Sequence, residues 1–245
     1  TWGESTGASQ GIHTPGSGQA GNNFRGSVLV SRGGSILVSG EEVLMNQLVG
    51  HGITDLTLVL GHLAELIRAY FDQRPAWREK AKVKFVQELS PRGTAGAVGE
   101  VPDLKETFLV MNGDLLTDLD FHALVRFHRQ RGACLTIAAH TREEKVDLGV
   151  LEIDAERRVR DYREKPVTRY EVSMGVYVYE PRVLRWIEPG QHLDFPDLVL
   201  KLLAAGETVC AYPAACRWLD IGRPDDYRRA QELHEASPDA FADPL

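Results

Sequence analysis

The sequence predicts an α/β fold with a mixed, mostly parallel sheet flanked by helices. Three observations carry this. Between Glu41 and Gly132, short apolar runs alternate with amphipathic stretches of helical period, the rhythm of successive βαβ units. The run Thr107–Met111 (TFLVM) is apolar at almost every position, as in a strand covered on both faces. Beyond Gly149 the strand-like runs follow one another across short turns, which appends an antiparallel patch to the parallel sheet.

Taken in order, residues 1–26 read as an irregular segment. The first 40 residues hold 10 of the 23 glycines and only Glu4, Arg25 and Arg32 as charges, and Thr1 to Asn23 show no apolar period. The chain opens on Thr1 and not on Met, which reads as a processed or incomplete product. Ser27–Ser31 (SVLVS) is the first strand candidate. Glu41–Val49 presents Val43, Leu44, Leu48 and Val49 on a helical face, ended by Gly50 and Gly52. Leu56–Leu60 is a strand, Leu63–Phe71 a helix, Val83–Val86 a strand. Phe121–Arg131 is an amphipathic helix closed by Gly132, and Leu135–Ala139 a strand. Gly149–Ile153, Val159–Tyr162 and Val172–Tyr179 form the antiparallel patch. Leu193–Ala205 is a helix, Thr208–Tyr212 a strand, and Pro224–Ala236 a last helix with proline in its first turn. One domain over residues 27–236 and a tail over 237–245 account for the chain.

Composition bounds the function. At 245 residues, with a hydrophobic fraction of 43% and a charged fraction of 26%, the chain has what an ordinary globular core needs. The net charge of −7 lacks the basic footprint of a nucleic-acid binder. No apolar run is long enough to span a membrane, and no secretory signal is visible. Cys134, Cys210 and Cys216 are too few and too scattered for a disulfide framework, so a cytoplasmic location is expected.

Four segments carry chemistry. Asn112-Gly113-Asp114 follows the apolar strand directly, and ligands of open α/β sheets bind beyond the carboxyl ends of strands. There Asp114 suits a hard cation holding phosphate oxygens; a turn aspartate capping the next helix is the other reading. Asp220, in Trp218-Leu219-Asp220-Ile221-Gly222, would complete a two-carboxylate site if the fold brings it to Asp114. In Arg163-Glu164-Lys165-Pro166, Lys165 is a point charge suited to phosphate and Glu164 an acceptor for sugar hydroxyls, with Pro166 expected to keep Lys165 extended; a solvated charged turn is the alternative. Pro91–Ala97 (PRGTAGA) opens a helix with small residues, which would leave backbone N–H groups free for a ligand, or else pack a helix closely on a strand.

These segments lie in one order: GHGITDLTLVLGH, PRGTAGAV, FLVMNGDLL, LGVLEID, REKP, SMGVYVYEP, LDFPDLV and WLDIGRPDDY. As a set over residues 35–235 they resemble the sugar-1-phosphate nucleotidyltransferase family, the nucleotide-diphospho-sugar pyrophosphorylases. The resemblance implies a Rossmann-like nucleotidyltransferase fold and Mg²⁺. It implies a nucleoside triphosphate and a sugar 1-phosphate as partners, converted to a nucleotide sugar and pyrophosphate. It assigns Asp114 and Asp220 to the metal, Lys165 to the sugar phosphate and Glu164 to the sugar hydroxyls. Gly149 and Gly175 would line the sugar pocket, and Glu88 and Gly93 would meet the base. The GTAGA form is more like the mannose-1-phosphate guanylyltransferases than the thymidylyltransferases. Homo-oligomer formation is left open.

One family element is missing. Members open with a strand, a GGxGTRL loop and a Lys-Pro segment. Here Ser27–Ser31 is followed by Arg32-Gly33-Gly34 and then Ser35–Gly40, with no arginine after the glycines and no Lys-Pro. A nucleotidyltransferase behind a misread or degenerate opening stretch, and a non-catalytic homologue that binds nucleotide sugars for regulation, are both compatible with that departure.

Overall fold

The computed structural model describes residues 26–31, 38–61, 64–73 and 79–220. The helix expected over Pro224–Ala236 and the Arg32-Gly33-Gly34 stretch lie outside the described residues, as does the irregular segment before Gly26.

Among the described residues, seven strands form the main sheet: β1 (Gly26–Ser31), β2 (Asp55–Leu60), β3 (Lys82–Gln87), β4 (Phe108–Asn112), β6 (Leu135–Lys145), β9 (Val167–Tyr179) and β10 (Val209–Pro213). Their order is β10-β6-β9-β4-β1-β2-β3. β1 pairs parallel with both β2 and β4, β2 with β3, and β6 with β10. β9 runs antiparallel between β4 and β6. The strand expected at Val172–Tyr179 is therefore inserted into the main sheet and not appended to it. Of the three runs expected in that patch, β7 (Val150–Ile153) and β8 (Val159–Arg163) alone stay apart from the main sheet, as an antiparallel pair. Two short strands, β5 (Leu115–Thr117) and β11 (Trp218–Asp220), form a third sheet.

Strand alternation builds a core on each face. Leu56, Leu58, Leu60, Leu109, Met111, Val176 and Val178 join one cluster with α1 (Val38–Gly50), α2 (Ala64–Asp72) and α3 (Phe121–Arg131). Val59, Phe108, Val110, Tyr177 and Tyr179 join the other with α4 (Phe195–Ala204). The apolar character of β4 follows from this: both its faces are covered. α3 has the bounds its sequence signals set. Asp120 caps it by accepting from the Ala123 N–H at 2.8 Å, and Gly132 ends it at φ 57° in the left-handed region. No described helix is long and apolar enough to cross a membrane.

β1 and β4 are neighbours, yet the chain first builds outward through β2 and β3 before returning to β4. That reversal is a topological switch point, and the carboxyl ends of strands flanking it are where an open α/β sheet leaves a crevice. Asn112-Gly113-Asp114 sits at this end of β4.

Candidate functional site

Asp114 lies between β4 and β5. In the antiparallel β5–β11 ladder, Trp218 pairs with Thr117, Leu219 with Leu116 and Asp220 with Leu115. Asp220 thus stands opposite the residue next to Asp114, so two aspartates far apart in the chain come to the same end of a three-residue ladder. Asp114 is half-buried and Asp220 exposed.

Several bonds hold this small sheet in place. The indole Nε1–H of Trp218 donates to the Met174 carbonyl of β9 at 2.9 Å. Asp118 accepts from the Arg217 backbone N–H at 2.6 Å and from its Nε–H at 2.7 Å. Thr117, fully buried, donates its hydroxyl to the Arg217 carbonyl at 3.0 Å. Gln47 of α1 donates its amide to the Thr117 carbonyl. None of these anchors carries a signal in the sequence.

Gly175 is buried on β9, inside a bulge. Ile137 pairs with Tyr177 but Ala139 with Ser173, so Met174, Gly175 and Val176 together face Ala138. Its φ is +75°, and a Cβ there would meet Asn112 Nδ2 at 2.8 Å. The glycine admits the Asn112 side chain beside the Asp114 turn, a contact invisible in the sequence.

Gly93 and Glu88 sit at the neighbouring strand ends. The Glu88 N–H donates to the Leu60 carbonyl at 2.8 Å, and its Oε1 accepts from the Arg92 N–H at 3.1 Å. The segment after it is a single helical turn, Gly93–Gly96, running into a 3₁₀ turn over Ala97–Glu100. The expectation of free N–H groups fails for Ala95 and Gly96: both donate to the Leu193 carbonyl, at 3.0 and 2.9 Å. Gly93 itself has φ +73°, and a Cβ on it would lie 2.8 Å from Asp194 Oδ1. Close packing against residues 193–194 demands the small residues here.

Glu164, Lys165 and Pro166 join β8 to β9 and are at most half-buried. Lys165 is not extended: its φ is +44°. Three residues carry the chain from the β7–β8 pair into the main sheet, and the turn outweighs the extended preference of a residue before proline. A non-glycine residue in this region costs about 1–3 kcal/mol and marks a backbone held by its surroundings. Glu164 Oε2 accepts from the Tyr162 hydroxyl at 2.9 Å. Gly149, at the start of the same hairpin, lies against the Tyr162 ring.

Asp114 and Asp220 are thus neighbours through β5 and β11. Gly175 borders the Asn112-Gly113-Asp114 turn, and Gly149 and Glu164 share the β7–β8 hairpin. Glu88 follows β3 and is bonded to the end of β2, whereas Gly93 packs against residues 193–194 at the start of α4.

Among the described residues no group of three or more His, Cys, Asp or Glu side chains could hold a metal ion by itself. Mg²⁺ takes one or two protein carboxylates when substrate phosphates supply the remaining oxygens, and Asp114 and Asp220 are the two side chains that could supply those carboxylates at this end of the ladder.

The family model described as Nucleotidyl transferase matches residues 38–237. The chain belongs to the nucleotidyl transferase family. Among relatives of this family, a UTP–glucose-1-phosphate uridylyltransferase of Synechocystis is 30% identical over 207 residues, covering 77% of this chain and 53% of that protein. A mannose-1-phosphate guanyltransferase beta-B of Xenopus laevis is 27% identical over 195 residues, covering 76% and 54%. The chain therefore spans about half the length of the curated relatives it matches. The crystal structure of HddC from Yersinia pseudotuberculosis shares the fold, with a TM-score of 0.63 at 23% identity over 86% of this chain and 99% of that one.

Proposed function

We propose that this nucleotidyl transferase domain joins a nucleoside triphosphate to a sugar 1-phosphate, releasing pyrophosphate and a nucleotide sugar, with mannose 1-phosphate and GTP as the favoured pair. One observation carries the reading: the β5–β11 register sets Asp220 opposite Leu115, beside Asp114, at the carboxyl end of β4. The relatives named above act on hexose 1-phosphates, which supports the substrate class, and the GTAGA segment supports the guanylyl preference.

The chemistry asks little of a base. The sugar phosphate oxygen is already an anion, and it attacks the α-phosphorus as pyrophosphate leaves. The work is to bring two polyanions together and hold them in line. Asp114 and Asp220 would hold Mg²⁺, which when bound offsets charge on the phosphate oxygens. Lys165, displayed by its left-handed turn, meets the sugar phosphate. Glu164 accepts from sugar hydroxyls, with Gly149 and Gly175 shaping the pocket. Glu88 and Gly93 border the base. Three thiol cysteines fit a reducing, cytoplasmic setting.

The test is pyrophosphate release from GTP, UTP or dTTP with hexose 1-phosphates and Mg²⁺. Release that falls at least 100-fold in both Asp114→Asn and Asp220→Asn supports the reading; release unaffected by either overturns it. A second reading is favoured by Arg32-Gly33-Gly34-Ser35-Ile36-Leu37, which links β1 to α1 without an arginine after the glycines. Losing one preorganised donor to the transferring group costs about 10²–10³ in rate. Under this reading the domain binds nucleotide sugars as a regulatory homologue. Calorimetric binding without any pyrophosphate release distinguishes it.

A further inference from the structure

Tyr162 is 59% exposed on β8, in a hairpin whose register pairs Leu151 with Tyr162 and Val150 with Arg163. Alternation along β8 sets the side chain of Tyr162 away from that of Arg163. Arg163 is turned to the acidic side chains of Glu152 and Asp161, at 3.8 and 3.6 Å. The Tyr162 hydroxyl donates to Glu164 Oε2 at 2.9 Å. Its ring lies so close to Gly149 that a Cβ there would come within 3.0 Å of Cε2, and nearer still to Cζ and the hydroxyl oxygen. No side chain fits at residue 149 while the ring keeps this place.

We propose that Tyr162 is a positioning residue for the sugar: its ring occupies the space that Gly149 leaves, and its hydroxyl fixes the Glu164 carboxylate for the sugar hydroxyls. This rests on the sugar-1-phosphate reading of the site and deepens it. Gly149 then serves the sugar indirectly, by admitting the ring. A glutamate on an exposed turn loses rotamer freedom when it binds a ligand, which costs affinity. A donor already bonded to one carboxylate oxygen removes part of that cost and leaves Oε1 outside this bond. Phenylalanine would keep the ring and lose the effect.

The experiment is a double-mutant cycle on the full chain: wild type, Tyr162→Phe, Glu164→Gln and the double variant. Each is titrated calorimetrically with GDP-mannose, UDP-glucose and dTDP-glucose, and separately with GTP, UTP and dTTP in Mg²⁺. For the nucleotide sugar that wild type binds best, Tyr162→Phe weakens binding about 3–10-fold. Triphosphate binding stays within twofold. In the Glu164→Gln background the same change costs less than twofold, because the bond is already impaired. Gly149→Ala reproduces the Tyr162→Phe loss by displacing the ring. Additive losses, equal losses for triphosphates and nucleotide sugars, or an unaltered Gly149→Ala variant overturn the proposal while the sugar-1-phosphate reading stands. A wild type that binds triphosphate but no nucleotide sugar overturns that reading, and the proposal with it.

Discussion

Asp118 grips Arg217 twice, taking its backbone N–H at 2.6 Å and its Nε–H at 2.7 Å. Asp118 follows β5 and Arg217 precedes β11, so this clamp ties the end of the ladder remote from Asp114 and Asp220. Three residues per strand give a ladder little stability of its own, and the relation of the two carboxylates depends on such ties. Asp118→Ala is expected to lower stability by about 0.5–1 kcal/mol, since the ion pair is partly exposed. Mg²⁺-dependent nucleotide binding should weaken more, about 10-fold, because a loosened ladder no longer presets a pair of ligands. Urea denaturation and calorimetry with and without Mg²⁺ read the two effects; a stability loss with unaltered binding would refute the link.

Gly175→Ala should destabilise the fold by about 2–3 kcal/mol. The left-handed backbone contributes about 1–2 kcal/mol, and the clash with the Asn112 side chain adds to it. Urea denaturation measures the total. The additional variant Asn112→Ala should relieve part of the Gly175→Ala penalty, and a penalty independent of Asn112 would show that the contact is not the cause.

Lys165→Gly should separate stability from binding. Glycine adopts φ +44° freely, which relieves strain of about 1 kcal/mol, partly offset by a more flexible unfolded chain. Net stability is expected to hold or rise slightly in a thermal melt. Affinity for hexose 1-phosphate should fall about 10-fold with the lost ammonium. Unaltered affinity would remove Lys165 from the site.

Acid should loosen the molecule through the buried His128 and the half-buried His51. His128 is 1% exposed and lies between Thr136 Oγ1 at 2.8 Å and Glu180 Oε1 at 3.1 Å. Burial holds its pKa below the usual 6.5, and outweighs the opposing pull of Glu180. His51 is lowered too, by burial and then by its neighbour His122. The folded state binds fewer protons than the unfolded one at these sites. Their contribution to stability is therefore complete above pH 6.5 and is lost as pH falls through the unfolded value toward the lower folded values. Each group can give a slope of at most about 1.4 kcal/mol per pH unit. Urea midpoints between pH 7.5 and 5 should fall, and His128→Gln should flatten the decline; an equal decline in that variant would place the proton uptake elsewhere.

Local signals are legible where one element decides its own limits. The amphipathic run and Gly132 mark α3 to the residue, because period and stop are properties of a few neighbouring positions. The strands β2, β3 and β4 were marked by their apolar runs, with ends displaced by a residue or so. β6 and β9 run beyond Ala139 and begin before Val172, because their outer residues are exposed and polar and are held as strand by pairing with each other. β5 and β11 are too short for a period to show. Lys165 departs from the preference of its own dipeptide because a turn between two sheets must be made there.

The layered α/β architecture, the order of its segments and the family are all legible in the chain read alone. Alternating burial and helical period are short-range properties written in adjacent residues, and the motifs keep their order along the chain. Folding alone brings Asp220 opposite the neighbour of Asp114, sets Asn112 in the space Gly175 leaves, and engages the Ala95 and Gly96 amides with Leu193. Those relations join residues distant along the chain, and they depend on strand register, a bulge and a handful of anchoring bonds that no local pattern encodes.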